Sequence, residues 1–223
     1  MVVNLSTNSS IRPRFIGELS ALSQADVTLS EFKYSAGAEI FGEGEHAVYI
    51  YQITEGAARS YKLLSDGRRQ IGAFHLTRDI FGLENSDFHR FTAEAIVDTT
   101  VRLVKRASLA CVAENDATVA RDLLNMTSAN LKHAEDHMLL LGRKTSLERV
   151  VAFLLEMDRR LTAAGVMALP MCRRDIADYL GLTLETVSRA LSVLEHKGFL
   201  GFLGPTQRQI VLLDRPGLAE LDL

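Results

Sequence analysis

Between positions 37 and 105 short apolar or alternating runs recur, separated by glycines. The runs are Val48–Ile53, Ala57–Leu64, Gln70–Leu76 and Ala93–Val104, and seven of the fifteen glycines (Gly37, Gly42, Gly44, Gly56, Gly67, Gly72, Gly82) fall among them. Strands this short at this even spacing predict a small antiparallel roll or barrel. Ser65-Asp66-Gly67-Arg68 predicts a tight primed hairpin turn, because Asp-Gly supplies the positive φ values such a turn demands.

The period then changes. From Asp116, a good N-cap, to Gly142 there is no proline or glycine, and apolar residues recur at three and four. Ala120, Leu124, Thr127, Leu131, Ala134, Met138 and Leu141 form one seam. About 26 residues at 1.5 Å each make roughly 39 Å of helix, more than a small domain needs for its own core. Two readings follow: a helix packed along its own sheet, or a two-stranded dimer seam with a/d spacing. Thr145-Ser146-Leu147-Glu148 is a capping box, so a second helix starts there, carrying Val150, Val151, Leu154, Leu155 and Leu161 inward and stopping near Gly165.

Residues 173–194 read RRDIADYLGLTLETVSRALSVL. Two short helical patterns flank Gly181, with Ile176, Ala177 and Leu180 before it and Val187, Ala190, Leu191 and Leu194 after it. A glycine between helices too close to run antiparallel is the helix-turn-helix signature, whose second helix enters the major groove. That helix starts at Thr183, a good N-cap, with Thr186 and Ser188 expected on its exposed face, near phosphates and bases. Arg173 and Arg208 are further expected phosphate contacts. Lys197–Leu200 and the run Gly204–Leu213 read as a two-stranded wing.

Composition narrows the function. Apolar residues make up 47% and charged residues 24%, an ordinary globular balance that excludes wholesale disorder and a fibrous repeat. The net charge of −3 gives no global basic signature, and residues 172–208 hold only five basic residues against four acidic, so the DNA reading rests on pattern and not on charge. Residues 1–142 hold 14 basic and 18 acidic side chains, residues 143–223 hold 11 and 10, a shift that places a domain boundary near 143. The expected organisation is an arm over 1–20, a roll over 21–115, a dimerisation helix over 116–143 and a winged helix-turn-helix over 144–223. Cys111 and Cys172, 61 positions apart without a C-x-x-C, argue against a disulfide scaffold and a cysteine-ligated metal. No signal peptide and no membrane-length apolar run is present, which predicts a cytoplasmic protein.

A glycine-rich roll, a long helix and a winged helix-turn-helix in this order resemble the Crp/Fnr superfamily of bacterial transcription regulators. The stretch RRDIADYLGLTLETVSRALSVLEHKG is the specific part of the likeness, and the chain from about 20 to 215 fits the architecture. Glu185, Ser188 and Arg189 (E-x-x-S-R) match the Fnr and FixK branch, with the strongest likeness to FixK-type regulators of rhizobia and their relatives. The resemblance implies a homodimeric activator that works through RNA polymerase, with these three residues reading a TTGA-type half-site. The chemistry agrees: Arg189 can fork onto guanine O6 and N7, Glu185 can accept from a cytosine amino group, and Ser188 can contact an adjacent base.

The family's sensors are the next question. The resemblance implies an iron–sulfur cluster only where cysteines cluster near the N-terminus, and none precedes Cys111. Cyclic-nucleotide-binding members carry Gly-Glu and Arg-Ser-Ala in the roll. The matching stretches here are Phe81-Gly82-Leu83-Glu84 and Arg90-Phe91-Thr92-Ala93-Glu94, with Arg90 one residue out of register and so expected on the opposite strand face. The long-helix Thr-Ser pair of those members is Ala134-Glu135 here. Neither an iron–sulfur cluster nor a cyclic nucleotide is expected.

His46, His75 and His89 raise a cupin-like metal enzyme as the alternative class, but no His-x-His is present, and no enzyme activity is expected. His133 and His137 stand at i, i+4, a zinc-compatible spacing, yet without a third ligand they read as exposed or seam-flanking. Met126 and Met138 read as core filler. Cys111, among Leu109, Ala110, Val112 and Ala113, reads as a buried small hydrophobe.

Cys172 precedes Arg173 and Arg174 at the expected N-cap of the first reader helix. A helix N-terminus and two guanidinium groups both favour a thiolate, the form oxidants attack. Oxidation there is expected to oppose docking on DNA.

Overall fold

A computed structural model describes residues 30–84 and 86–222; the expected arm lies outside them. The N-terminal half is an antiparallel β-sandwich. Its strands are β1 (Ser30–Tyr34), β2 (Glu39–Phe41), β3 (Tyr49–Glu55), β4 (Ala57–Leu63), β5 (Arg69–Leu76), β6 (Ile80–Phe81), β7 (Thr92–Ala95) and β8 (Thr99–Lys105). They form two four-stranded sheets, β1-β8-β3-β6 and β2-β7-β4-β5. Between the sheets Ile40, Phe41, Tyr51, Ile53, Phe81, Val101 and Leu103 make one core, fed by the alternating inward positions of each strand.

Two local expectations need correction. The run Ala93–Val104 is two strands, β7 and β8, because Ile96 and Val97 leave the sandwich and pack on a second apolar cluster below it. The Asp-Gly turn is not the primed type. Only Gly67 takes positive φ (+83°), Leu64 N–H donates to Arg68 O at 2.8 Å, and Gly67 N–H donates to Leu64 O at 2.9 Å. That is a three-residue loop with glycine at its left-handed position.

Helix α1 (Arg106–Asn115) follows the sandwich and was not foreseen as a helix; Cys111 stands exposed on it, not buried. Helix α2 (Ala117–Arg143) starts where Asp116 accepts from the Thr118 and Val119 amides. Its first turns pack on the roll through Val119, Leu123 and Met126. Farther along, Leu124, Leu131, Met138 and Leu139 are 60–66% exposed, so Met138 is surface and not core. Leu141 leaves the expected seam, its Cδ2 within 3.6 Å of the space beside Gly181. The first of the two readings holds for one flank of the long helix, which packs on its own chain, while an apolar stripe stays open to solvent.

Helix α3 (Ser146–Leu161) opens with the expected capping box, Thr145 and Glu148 exchanging side chain and backbone bonds. After it come β9 (Met167–Ala168), α4 (Arg173–Leu180), α5 (Leu184–His196), β10 (Leu200–Leu203), β11 (Gln209–Leu212) and α6 (Arg215–Glu220). The wing is a three-stranded sheet, β10-β11-β9, one strand more than expected. The largest apolar cluster joins both halves: Ile71, Phe74 and Leu76 of the roll pack with Val151, Phe153, Ile176, Tyr179 and Leu194.

Candidate nucleic-acid interface

Gly181 closes α4 in the left-handed conformation, φ +62°, which a side-chain-bearing residue adopts at a cost. The chain then turns into α5, where Thr183 Oγ1 accepts from the Thr186 amide at 3.2 Å and pairs with the Thr186 hydroxyl at 3.0 Å. Val187, Ala190, Leu191 and Leu194 bury one face of α5. Glu185, Ser188 and Arg189, at i, i+3 and i+4, share the opposite face. Glu185 and Arg189 are exposed, while Ser188 and Thr186 are half-buried and less exposed than expected. Glu185 is held below the usual carboxylate range, first by the helix's backbone N–H and next by the Thr183 hydroxyl, with Arg174 and Arg189 adding less. It is thus an acceptor at neutral pH.

The expected phosphate contacts divide. Thr183 sits at the open helix N-terminus, and Arg208 lies exposed on the wing, touching the Pro170 carbonyl at 3.5 Å. Arg173 instead turns its guanidinium along the protein: Nη1 donates to Ser188 Oγ at 3.3 Å, and Nη2 donates to Gln207 Oε1 at the wing tip.

Cys172 is the N-cap of α4, as expected. Its surroundings are not those the sequence suggested. The thiol donates to Asp175 Oδ2 at 3.2 Å, and the Cys172 amide donates to the same oxygen at 3.2 Å. Asp175 Oδ1 meanwhile accepts from Arg59 of β4 at 2.8 Å and Arg69 of β5 at 2.6 Å. The Asp175 side chain is only 3% exposed, and four donors satisfy both of its oxygens. Arg69 also reaches Asp178 at 2.9 Å, and Gln70 donates to the Tyr179 carbonyl at 3.3 Å. The first reader helix is thus clamped to the roll.

Sequence reasoning missed this clamp, because Arg59 and Arg69 stand 116 and 106 positions from Asp175 and no local pattern links them.

His133 and His137 are neither exposed nor on the seam. His137 stacks on Tyr179 with centroids 4.1 Å apart and donates from Nε2 to the Tyr179 carbonyl at 3.0 Å. His133 lies 3.5 Å from the Tyr179 hydroxyl and 4.0 Å from Glu156. Both therefore join the long helix to α4, and burial lowers the His137 pKa. In the roll, His89 stacks on Phe41 at 3.6 Å and His75 on Phe81 at 4.4 Å, while the His46 ring lies tilted against Phe88 at 4.6 Å. No group of three metal-ligating side chains converges among the described residues.

A cavity of about 530 Å³ lies between the roll and the long helix, lined by Ser60, His75, Arg90, Phe91, Asn130 and His133 among others. Arg90 precedes β7 and is not on a strand, so the opposite-face argument does not apply; both Arg90 and Phe91 line the cavity. Phe91 presses against Gly72, where an added Cβ would meet its ring at 3.1 Å. Glu84 is engaged by His89 Nδ1 at 3.2 Å. Asp79 is ion-paired with Arg160, and burial raises its carboxyl above the usual range despite that partner.

A β-roll clamped to a helix-turn-helix whose second helix presents Glu185, Ser188 and Arg189 outward defines a transcription regulator of the helix-turn-helix kind. Comparisons with known proteins agree. A Crp-like helix-turn-helix domain model matches residues 148–221 and a cyclic nucleotide-binding domain model matches residues 31–116. The chain is 43% identical over 194 residues to a nitrogen fixation regulation protein FixK of Azorhizobium caulinodans, covering 85% of this chain and 77% of that one. It is 41% identical over 169 residues to the transcriptional activatory protein AadR of Rhodopseudomonas palustris, covering 74% and 71%. The solved structure of FixK2 from Bradyrhizobium japonicum superposes with a TM-score of 0.85 at 65% identity, over 88% of this chain and 98% of that chain. The chain belongs to the Crp/Fnr family of transcription regulators and is of the FixK type. Among the described residues no helix is long and apolar enough to cross a membrane.

Proposed function

We propose that the protein is a cytoplasmic, homodimeric transcription activator that recognises a TTGA-type palindrome and engages RNA polymerase. One observation carries the reading: Glu185, Ser188 and Arg189 share the outward face of a helix whose N-terminus is capped by Thr183. Arg189 supplies a donor fork for guanine, Glu185 an acceptor for a cytosine amino group, and Ser188 a contact beside them. Thr183, Thr186 and Arg208 are the phosphate contacts of this reading. The open stripe of Leu124, Leu131 and Met138 supports a second copy as its cover, and two-fold symmetry then places half-sites about one helical turn apart. The test is a titration of a TTGA-N6-TCAA duplex against a scrambled one at equal salt. Tighter binding to the palindrome is expected, and equal affinity overturns the base assignment.

No cofactor is part of this reading. Arg90 and Glu84 line the cavity, but Phe91 presses against Gly72 inside it and one Glu84 oxygen is already taken by His89, so the reading assigns no cyclic nucleotide to the roll. No cysteine precedes Cys111 to hold an iron–sulfur cluster.

Control instead falls to Cys172. An oxidised, negatively charged sulfur would stand against the Asp175 carboxylate it now donates to, and beside a DNA phosphate. Peroxide is expected to abolish binding by the wild type and to spare Cys172→Ser, whose hydroxyl keeps the bond to Asp175. Equal loss in both proteins, or in neither, removes Cys172 from the mechanism.

A further inference from the structure

Arg173 joins three elements with one side chain. Nη1 donates to Ser188 Oγ on the recognition helix at 3.3 Å, Nη2 donates to Gln207 Oε1 at the wing tip, and the guanidinium lies 5.6 Å from the centre of the Phe202 ring in β10. Gln207 holds φ at +53°, a left-handed conformation that disfavours a residue with a Cβ. A fixed partner for its amide is thus part of what keeps the wing tip in place.

We propose that Arg173 is a positioning residue for base reading, which locks the Ser188 hydroxyl and the wing into one unit and orients that hydroxyl as a donor. The proposal rests on the DNA reading above. A guanidinium has donors only, so it occupies a lone pair of Ser188 Oγ. Among the described residues the hydroxyl gives its own proton to no partner. With a positive group behind the oxygen, the face toward DNA is proton-first. A proton-first hydroxyl matches an acceptor on a base edge, thymine O4 or a purine N7, and opposes the amino group of cytosine. Discrimination at the base pair read by Ser188 therefore depends on a residue that does not touch it.

The role differs from a phosphate contact in what lysine can replace. Lysine keeps the charge, but a single ammonium cannot span Ser188 and Gln207 as the planar fork does. The experiment measures full-length wild type, Arg173→Lys, Ser188→Ala and the double variant on duplexes carrying every base at each half-site position, at several salt concentrations. Arg173→Lys is expected to lose about fivefold in discrimination at the same base pair as Ser188→Ala. The double variant should be no worse there than Ser188→Ala alone, and the salt slope should be unchanged. Thermal melts check folding. Gln207→Ala, which cuts the other tether at an exposed wing tip, should show a smaller loss at that same pair.

An Arg173→Lys protein that matches wild type on every duplex overturns the proposal. So does a loss uniform across all sequences with a slope shallower by about one, which marks a plain phosphate contact. No change at any pair in Gln207→Ala overturns the single unit of wing and hydroxyl. A wild type that binds palindrome and scrambled duplex equally overturns the DNA reading itself, and this role with it.

Discussion

Arg189 is exposed on α5, and its neighbour Glu185 is ionised through the helix's backbone N–H and the Thr183 hydroxyl. Because the Arg189 head group makes no hydrogen bond or ion pair among the described residues and acts on Glu185 only through an exposed charge, Arg189→Ala should leave the melting temperature nearly unchanged. It should cost ~1–3 kcal/mol on the palindrome and flatten discrimination at the guanine, read by titration of single-base duplex variants. His75 makes the opposite kind of prediction. It is half-buried beside Ser60, whose hydroxyl lies 2.7 Å from Nε2, and desolvation, with Arg160 and His133 nearby, pushes its pKa down to about 3. The unfolded chain takes up that proton near pH 6.5, so the unfolded state binds more protons at every pH between the two values. Stability from this residue is full above about 6.5 and falls as pH drops towards 3, by up to ~1.4 kcal/mol per pH unit. His75→Gln should remove that slope from denaturation curves taken between pH 4 and 6, and an unchanged slope would assign acid sensitivity to other groups.

Among the elements, the long helix carries the plainest test. Leu131 is 60% exposed at the middle of the open stripe, so Leu131→Glu should cost the isolated fold little while placing like charges across a paired seam. Sedimentation should then report a monomer with lost palindrome affinity; a dimer of unchanged strength would move the interface elsewhere. Elements were legible in the sequence where their determinants are local. The Asp116 cap, the Thr145 box, Gly181 and the Thr183 cap each act within four residues, and all stand where the pattern put them. What escaped was set by distant partners. Leu141, His133 and His137 follow the periodicity of a seam, yet α4 draws them inward through Gly181 and Tyr179. Cys111 sits in an apolar run whose buried side is Leu109. Of the interface residues, the face of α5 followed from helical spacing, whereas the inward turn of Arg173 depends on a wing glutamine 34 positions away.

At the scale of the molecule, roll and reader share one apolar cluster and one buried ionic hub. Asp175 accepts from Arg59 and Arg69 of the roll and from Cys172 at the helix it caps. Asp175→Ala removes the carboxylate the two arginines share, while Arg59 keeps Glu94 and Arg69 keeps Asp178. The expected destabilisation is about 1.5–3 kcal/mol by chemical denaturation, with a loss of palindrome affinity exceeding that of Arg189→Ala only if the reader's orientation is set by the clamp. The hub also limits how the modules can be exchanged. A chimaera that grafts residues 144–223 onto a foreign roll would import a buried carboxylate with no cations to meet it, together with Phe153 and Tyr179 lacking Phe74. Such a hybrid should work only when arginines are installed at the positions of Arg59 and Arg69. In that sense the reader is not a portable cassette, and the two modules of this chain are constrained to evolve as a pair.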